Sequence, residues 1–207
     1  MLKFSTIAKL AATSLVTVLF GMSANAADRI SDFSLTDHEG RFFQLSRHAN
    51  QDAVVLLVYD AESRDARRAI SDLQDLEEKF AEQNVEFIAI NSSGSTDKIA
   101  MREEAADEDI TVRILMDDTQ LVAEELGLSR VAEVAILDPT SKEVVYRGAL
   151  NKSSAEGSRS ERNAGSYVEE ALNAILADQE VSANLVASKG DVITFAAKAA
   201  MTNTVSY

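Results

Sequence analysis

Ser63 is the residue of this chain best placed to do chemistry, because it stands between an apolar run and a helical pattern. The apolar run, Val54–Val58, is typical of a strand buried on both faces of a sheet. A helix start that follows a central strand is where α/β proteins usually place their active site. Apolar residues then recur at helical spacing and predict one buried stripe, formed by Ala66, Ile70, Leu73, Leu76 and Phe80.

A serine hydroxyl becomes a nucleophile only when a base lies beside it. The chain has two histidines, His38 and His48, and both precede the apolar run, so nothing in the sequence brings either to Ser63. Serine is also a preferred helix N-cap, and Asp65 in the first turn suits the helix dipole. We therefore predict that Ser63 is an N-cap and assign no catalytic residue. A cysteine-free enzyme built on Ser63 is the competing hypothesis.

Charged residues near this point have a structural and a functional interpretation. The arginines Arg64, Arg67 and Arg68 could meet an anion, but we favour surface counter-charges to Glu62, Asp65 and Asp72. A later run of carboxylates is more often a solvated helix face than a weak Ca²⁺ site: Glu103, Glu104, Asp107, Glu108 and Asp109. The chain has no cysteine and its two histidines are isolated, so we predict no metal site. It has neither a G-x-G-x-x-G nor a P-loop motif, and we predict no cofactor.

The first residues predict export. Lys3 and Lys9 form a basic start, Leu10–Met22 is uncharged and apolar, and Ala24-Asn25-Ala26 is a small-x-small cleavage site. We expect a signal peptide over residues 1–26, cleaved after Ala26, and a periplasmic or secreted protein with no membrane association afterwards. Cleavage removes two lysines and no acid, so the net charge would move from −14 to −16. Such a charge repels nucleic acid, so we predict no nucleic-acid partner.

Turn and cap residues divide the rest of the chain into the alternating elements of an α/β protein. We expect one domain over residues 27–178 and a C-terminal extension over 179–207 that contains a short apolar run, Val192–Phe195. Residues 46–52 are predicted to be a polar connection, and residues 152–165 a mobile loop. The predicted strands are Phe33–Thr36, Phe42–Leu45, Val54–Val58, Val85–Ile90, Ile110–Met116, Val131–Asp138 and Val144–Arg147; the predicted helices are Ala66–Phe80, Lys98–Asp107, Leu121–Leu126 and Tyr167–Leu176.

Taken in order, these segments resemble the redoxin branch of thioredoxin-like proteins, which includes the peroxiredoxins (AhpC/TSA) and the TlpA-like thiol oxidoreductases. The resemblance implies a thioredoxin-like fold: a central mixed sheet flanked by helices, with an N-terminal hairpin and, here, a C-terminal extension. The matching segments are Asp32–Gly40 with Phe43–Ser46, Val54–Asp60, Asn84–Asn91, Leu115–Asp118 running to Gly127, and Glu133–Asp138 with Val145–Gly148.

Three parts of the redoxin active site are missing. The resemblance places a reactive cysteine at the helix start, where this chain has Ser63. It places a cis-proline opposite, where this chain has Val131-Ala132; a cis bond before alanine costs about 2.5–4 kcal/mol, so we expect a trans peptide. A tail cysteine beside a glycine is also absent from Lys189-Gly190-Asp191. Because three separate parts of the redoxin site are absent together, we infer that this chain has lost the redox activity.

We therefore predict an exported binding, structural or accessory protein without redox activity, with a periplasmic protein as its partner. The alternatives are a thiol oxidoreductase or peroxiredoxin-related activity, as the family implies, or the serine enzyme above. In related folds this surface receives an extended chain by backbone pairing. We predict that a partner binds the vestigial surface, which comprises Glu62, Ser63, Arg64, Arg130, Val131 and Ala132; the competing view is that partners use the tail after Leu176. The sequence carries no signal for an oligomeric state.

Overall fold

The computed structural model describes residues 28–94, 96–157, 165–182 and 186–195. The predicted signal peptide, residues 158–164 of the predicted loop and the end of the C-terminal extension lie outside these ranges. The strands are β1 (Ser34–Asp37), β2 (Phe42–Gln44), β3 (Ala53–Val58), β4 (Val85–Asn91), β5 (Arg113–Met116), β6 (Glu133–Asp138) and β7 (Glu143–Ala149). The helices are α1 (Arg64–Lys79), α2 (Lys98–Asp107), α3 (Leu121–Glu125) and α4 (Tyr167–Leu176), with a 3₁₀ helix at Leu45–His48.

The described strands form one mixed sheet in the order β2-β1-β5-β4-β3-β6-β7. β3, β4 and β5 are mutually parallel, whereas β6 and β7 extend one side and β1 and β2 the other with antiparallel pairings. The α/β class, the mixed sheet and the N-terminal hairpin are confirmed. No helix of the described residues is long and apolar enough to cross a membrane.

β3 and α1 form the centre of the core, as the sequence pattern predicts. All six residues of β3 are buried, because the strand lies between β4 and β6 and α1 packs against it. The predicted stripe of α1 is buried at Ala66, Ile70, Leu73 and Leu76, and Phe80 is buried directly after the helix. This pair of elements fixes the position of Ser63 between them.

Two predicted strands begin later than expected. Ala132 has φ +59° and ends the loop before β6, which starts at Glu133 and not at Val131, because the extended backbone of a strand excludes such a residue. β5 starts at Arg113 and not at Ile110, because the Ile110 and Thr111 N–H groups donate to the Ala105 carbonyl and the Gln74 side chain and not to a neighbouring strand. The 3₁₀ helix begins at buried Leu45, the last residue of a predicted strand, and continues into the predicted polar connection.

Candidate functional site

Ser63 is the N-cap of α1, so this prediction is confirmed. Its backbone is extended, at φ −92° and ψ 124°, and its Oγ accepts a hydrogen bond from the Ala66 N–H at 3.3 Å. The Ser63 N–H donates to the Asp60 carbonyl, and the Ser63 carbonyl accepts from the Arg67 N–H. Ser63 is only 8 % exposed. The hydroxyl is thus used to satisfy a free N–H group of the helix.

Both histidines have other contacts. Nδ1 of buried His38 lies 3.3 Å from the Ile114 amide nitrogen. The contact is beside the antiparallel pairing of β1 with β5. The His48 ring stacks on Phe43 with 4.6 Å between centroids. Among the described residues, no hydrogen bond joins either imidazole to Ser63. The geometry therefore gives no support to a serine nucleophile, which needs a base within hydrogen-bond reach.

The loop Ser129–Ala132 leads into β6, and the carboxylate of Glu133 braces its first two residues. Oε2 of Glu133 accepts from the Ser129 N–H at 2.7 Å and from the Arg130 N–H at 3.0 Å. The Ala132 N–H donates to the Val58 carbonyl, which ties the loop to the end of β3. The Val131–Ala132 peptide is trans, as expected. In the sequence, the only sign of this contact was an acidic residue, Glu133, near the start of a predicted apolar strand.

The helix start and the loop come together, although the six predicted residues differ in accessibility. A small cavity of about 30 Å³ lies between these two elements and the tail; its lining includes Asp65, Arg68 and Ala69 of α1, Ala132 of the loop and Gly190 of the tail. Glu62 and Arg64 are exposed and Arg130 is half-buried, whereas Ser63, Val131 and Ala132 are buried. Val131 was predicted to be part of the partner surface, but at 5 % exposure its side chain belongs to the core.

The tail already occupies the backbone of this loop, which sequence reasoning missed. The Val131 N–H donates to the Asp191 carbonyl and the Ile193 N–H to the Ser129 carbonyl, each at 2.8 Å. Arg130 and Val192 are thereby an antiparallel pair. The only sequence signal for this pairing was the apolar run Val192–Phe195, and nothing in the run indicates its partner.

A charged network lies beside the helix start. The Tyr59 hydroxyl donates to Glu104 at 3.0 Å, and the same Glu104 oxygen lies 3.4 Å from the Arg67 guanidinium. Burial, followed by the charge of Glu104, raises the pKa of Tyr59 well above its ordinary value. Tyr59 is therefore a neutral hydrogen-bond donor at physiological pH and no candidate base.

The contacts of the arginines near the helix start differ in part from the predicted ones. Arg68 lies 3.7 Å from Asp65, as expected, whereas Arg67 contacts Glu104 of α2 and Asp72 accepts from Asn151. Within the described part of the chain, Arg64 makes no ion pair. No group of three or more His, Cys, Asp or Glu side chains among the described residues is arranged to hold a metal ion.

Comparison with known proteins gives the family. The sequence profile of the AhpC/TSA family matches residues 26–149, more than half of the chain. The chain belongs to the AhpC/TSA family. Its match ends at the last residue of β7, so α4 and the tail that pairs with the loop lie beyond it. No curated protein sequence matches the chain.

Solved structures show the same fold at low identity to this AhpC/TSA protein. A hypothetical protein from Sinorhizobium meliloti 1021 is 22% identical with a TM-score of 0.72, over 83% of this chain and 94% of that one. Peroxidoxin BcpB from Mycobacterium tuberculosis is 23% identical with a TM-score of 0.50, over 57% and 81%. A putative thiol:disulfide interchange protein DsbE from Chlorobium tepidum is 14% identical with a TM-score of 0.55, over 73% and 95%. These likenesses confirm a thioredoxin-like fold.

Proposed function

We propose that this chain is an exported AhpC/TSA-family protein that works by binding a protein partner and has no redox or serine-based catalysis. The observation that carries the proposal is Ser63, which stands at the helix start expected to hold the reactive cysteine and acts there as a buried N-cap. The full sequence contains no cysteine that could replace it. Thiol chemistry needs a thiolate, which a serine hydroxyl does not supply near neutral pH.

The exported location rests on the sequence of the first 26 residues. The basic start, the uncharged apolar segment and the Ala24-Asn25-Ala26 site have the order of a cleavable signal peptide. The partner would therefore be a protein of the periplasm or the extracellular space.

The electrostatic contrast at the vestigial surface supports a partner that carries carboxylates. The chain has a net charge of −14, yet exposed Arg64 lies at the helix start and half-buried Arg130 on the facing loop. An exposed, unpaired arginine on a negative protein favours a partner segment of negative charge and disfavours other orientations. Arg64 is available for such a contact, because it makes no ion pair within the described part of the chain.

Affinity capture tests this proposal with a matched charge reversal. The mature protein is immobilised, a periplasmic extract is passed over it, and bound proteins are identified by mass spectrometry. Arg64→Glu is expected to lose the specific partner, whereas Arg47→Glu, an equal charge change at an exposed arginine of the 3₁₀ helix, retains it. Equal capture by the wild type and both variants would show that the partner does not bind at the vestigial surface.

A further inference from the structure

We propose that the loop Ser129–Val131 is a binding edge for an extended peptide and that residues 190–195 of the chain are its resident occupant. The partner's segment would have the same side-chain pattern as the tail and would replace the tail on the loop. The inference rests on the proposed binding function, to which it adds the kind of partner segment and a competitor built into the chain.

Backbone pairing holds the tail along the loop. Two hydrogen bonds of 2.8 Å flank the Arg130–Val192 pair, one from the Val131 N–H to the Asp191 carbonyl and one from the Ile193 N–H to the Ser129 carbonyl. Such bonds recognise an extended chain without regard to its side chains. The edge is therefore suited to any strand that meets the steric demands of the groove.

Side chains of the domain fasten the tail at two further points. The Arg130 guanidinium donates to the Gly190 carbonyl at 3.1 Å, and the Gln120 amide donates to the Thr194 carbonyl at 3.1 Å. Gln120 is 5 % exposed and also donates to the Ser92 carbonyl, so its position is fixed by the core. Both donors address backbone carbonyls, so they would hold a different sequence equally well.

The side-chain pattern of the tail defines the segment that fits. Gly190 is obligatory, because a Cβ at this position would lie 1.9 Å from the Val131 carbonyl oxygen. Ile193 and Phe195 are 9 % and 7 % exposed and join the core, whereas Val192 between the two fastening points is 64 % exposed. The recognised pattern is thus glycine, then apolar residues three and five positions later.

Within the described residues, the segment 190–195 does not fill its groove. A partly open cavity of about 200 Å³ remains between the tail and the ends of β3 and β4; its lining includes Tyr59, Asp60, Ser92 and Ser93. Unfilled space beside a bound segment forfeits contacts that a larger occupant would make. A partner segment with the same pattern and bulkier neighbouring side chains would bury more surface than the tail and displace it.

The full-length variant Gly190→Ala tests the proposal, because the clash with Val131 is with backbone and no side-chain movement relieves it. Val192→Ala is the matched control, since it shortens an exposed side chain of the same segment. Hydrogen exchange by NMR is read at the Val131 and Ile193 amides, with Leu56 of β3 as the core reference. We expect exchange at the first two to rise roughly tenfold or more in Gly190→Ala only, with Leu56 unchanged.

A labelled peptide with the sequence of residues 186–195 then probes the vacated edge by fluorescence anisotropy. Gly190→Ala is expected to bind it at least roughly tenfold more tightly than the wild type or Val192→Ala does, because the resident tail no longer competes. The same peptide with alanine in place of its glycine is expected not to bind. Retained protection at Val131 and Ile193, or release of the tail without peptide binding, would overturn the proposal.

A second variant covers the case in which Gly190→Ala does not fold. Ile193→Ser combined with Phe195→Ser removes the apolar anchors of the tail, leaves Gly190 in place and carries the same expectations. The peptide assay contains no natural partner, so an absent partner in the capture experiment leaves its result unaffected. Arg64-dependent capture without peptide binding would overturn the peptide edge alone and leave the proposed function standing.

Discussion

Replacing Ser63 by alanine separates a structural cap from a chemical group. The substitution deletes the acceptor of the Ala66 N–H, and Ala66 is fully buried, so water cannot replace the lost partner. Losing an N-cap costs about 0.5–2 kcal/mol. The bond is long, at 3.3 Å, so we expect a loss well below the upper end of that range, at about 1 kcal/mol. For a domain of this size, that corresponds to a fall in Tm of about 2–4 °C.

Urea denaturation followed by circular dichroism measures the free energy of unfolding of the wild type, Ser63→Ala and Ser63→Asp. The aspartate variant keeps an acceptor and adds negative charge at the positive end of α1, so we expect it to be nearly neutral. Ser63→Ala should retain partner capture once its stability is taken into account. Unchanged stability in Ser63→Ala together with a large loss of function would refute the cap and indicate a chemical role for Ser63.

Three further changes have defined outcomes. Ser63→Cys should not gain peroxidase or disulfide-reductase turnover, because the Val131–Ala132 peptide is trans and the tail covers the loop; both assays check this. Burial alone would raise the pKa of Asp37, but hydrogen bonds from Arg41 outweigh it and lower the pKa below its ordinary value of 3.8. Asp37→Asn should therefore destabilise the protein near neutral pH, with the difference vanishing as pH falls below that value, in urea melts against pH. Burial raises the pKa of Asp117, so its contribution is greatest in acid and is lost as pH rises past 3.8; Asp117→Asn should remove this slope in the same melts.

The central strand and helix could be predicted because their signals are local. The continuous apolar run at Val54–Val58 and the helical stripe from Ala66 identify a buried strand and a half-buried helix without any knowledge of the fold. Ser63 stands at their junction, and a serine there is itself the signal of an N-cap. The expected trans peptide at Val131–Ala132 likewise follows from the chemistry of the residues alone.

The covering of the loop could not be predicted, because it joins residues distant in the chain. Arg130 and Gly190 are 60 positions apart, and a short apolar run such as Val192–Phe195 does not specify which edge it pairs with. The burial of Val131 follows from the same pairing and from the left-handed turn at Ala132. Positive φ at an alanine has no sequence signature, so the late start of β6 was also hidden.

The most direct test of the central claim is a turnover measurement on the purified mature protein. Peroxide consumption and insulin disulfide reduction are followed with a dithiol reductant, and Ser63→Ala and heat-inactivated protein serve as references. The account predicts that the wild type equals both references in both assays, because Ser63 is a buried cap in a chain without cysteine. Turnover by the wild type that Ser63→Ala abolishes would contradict the account and make this AhpC/TSA-family member an enzyme.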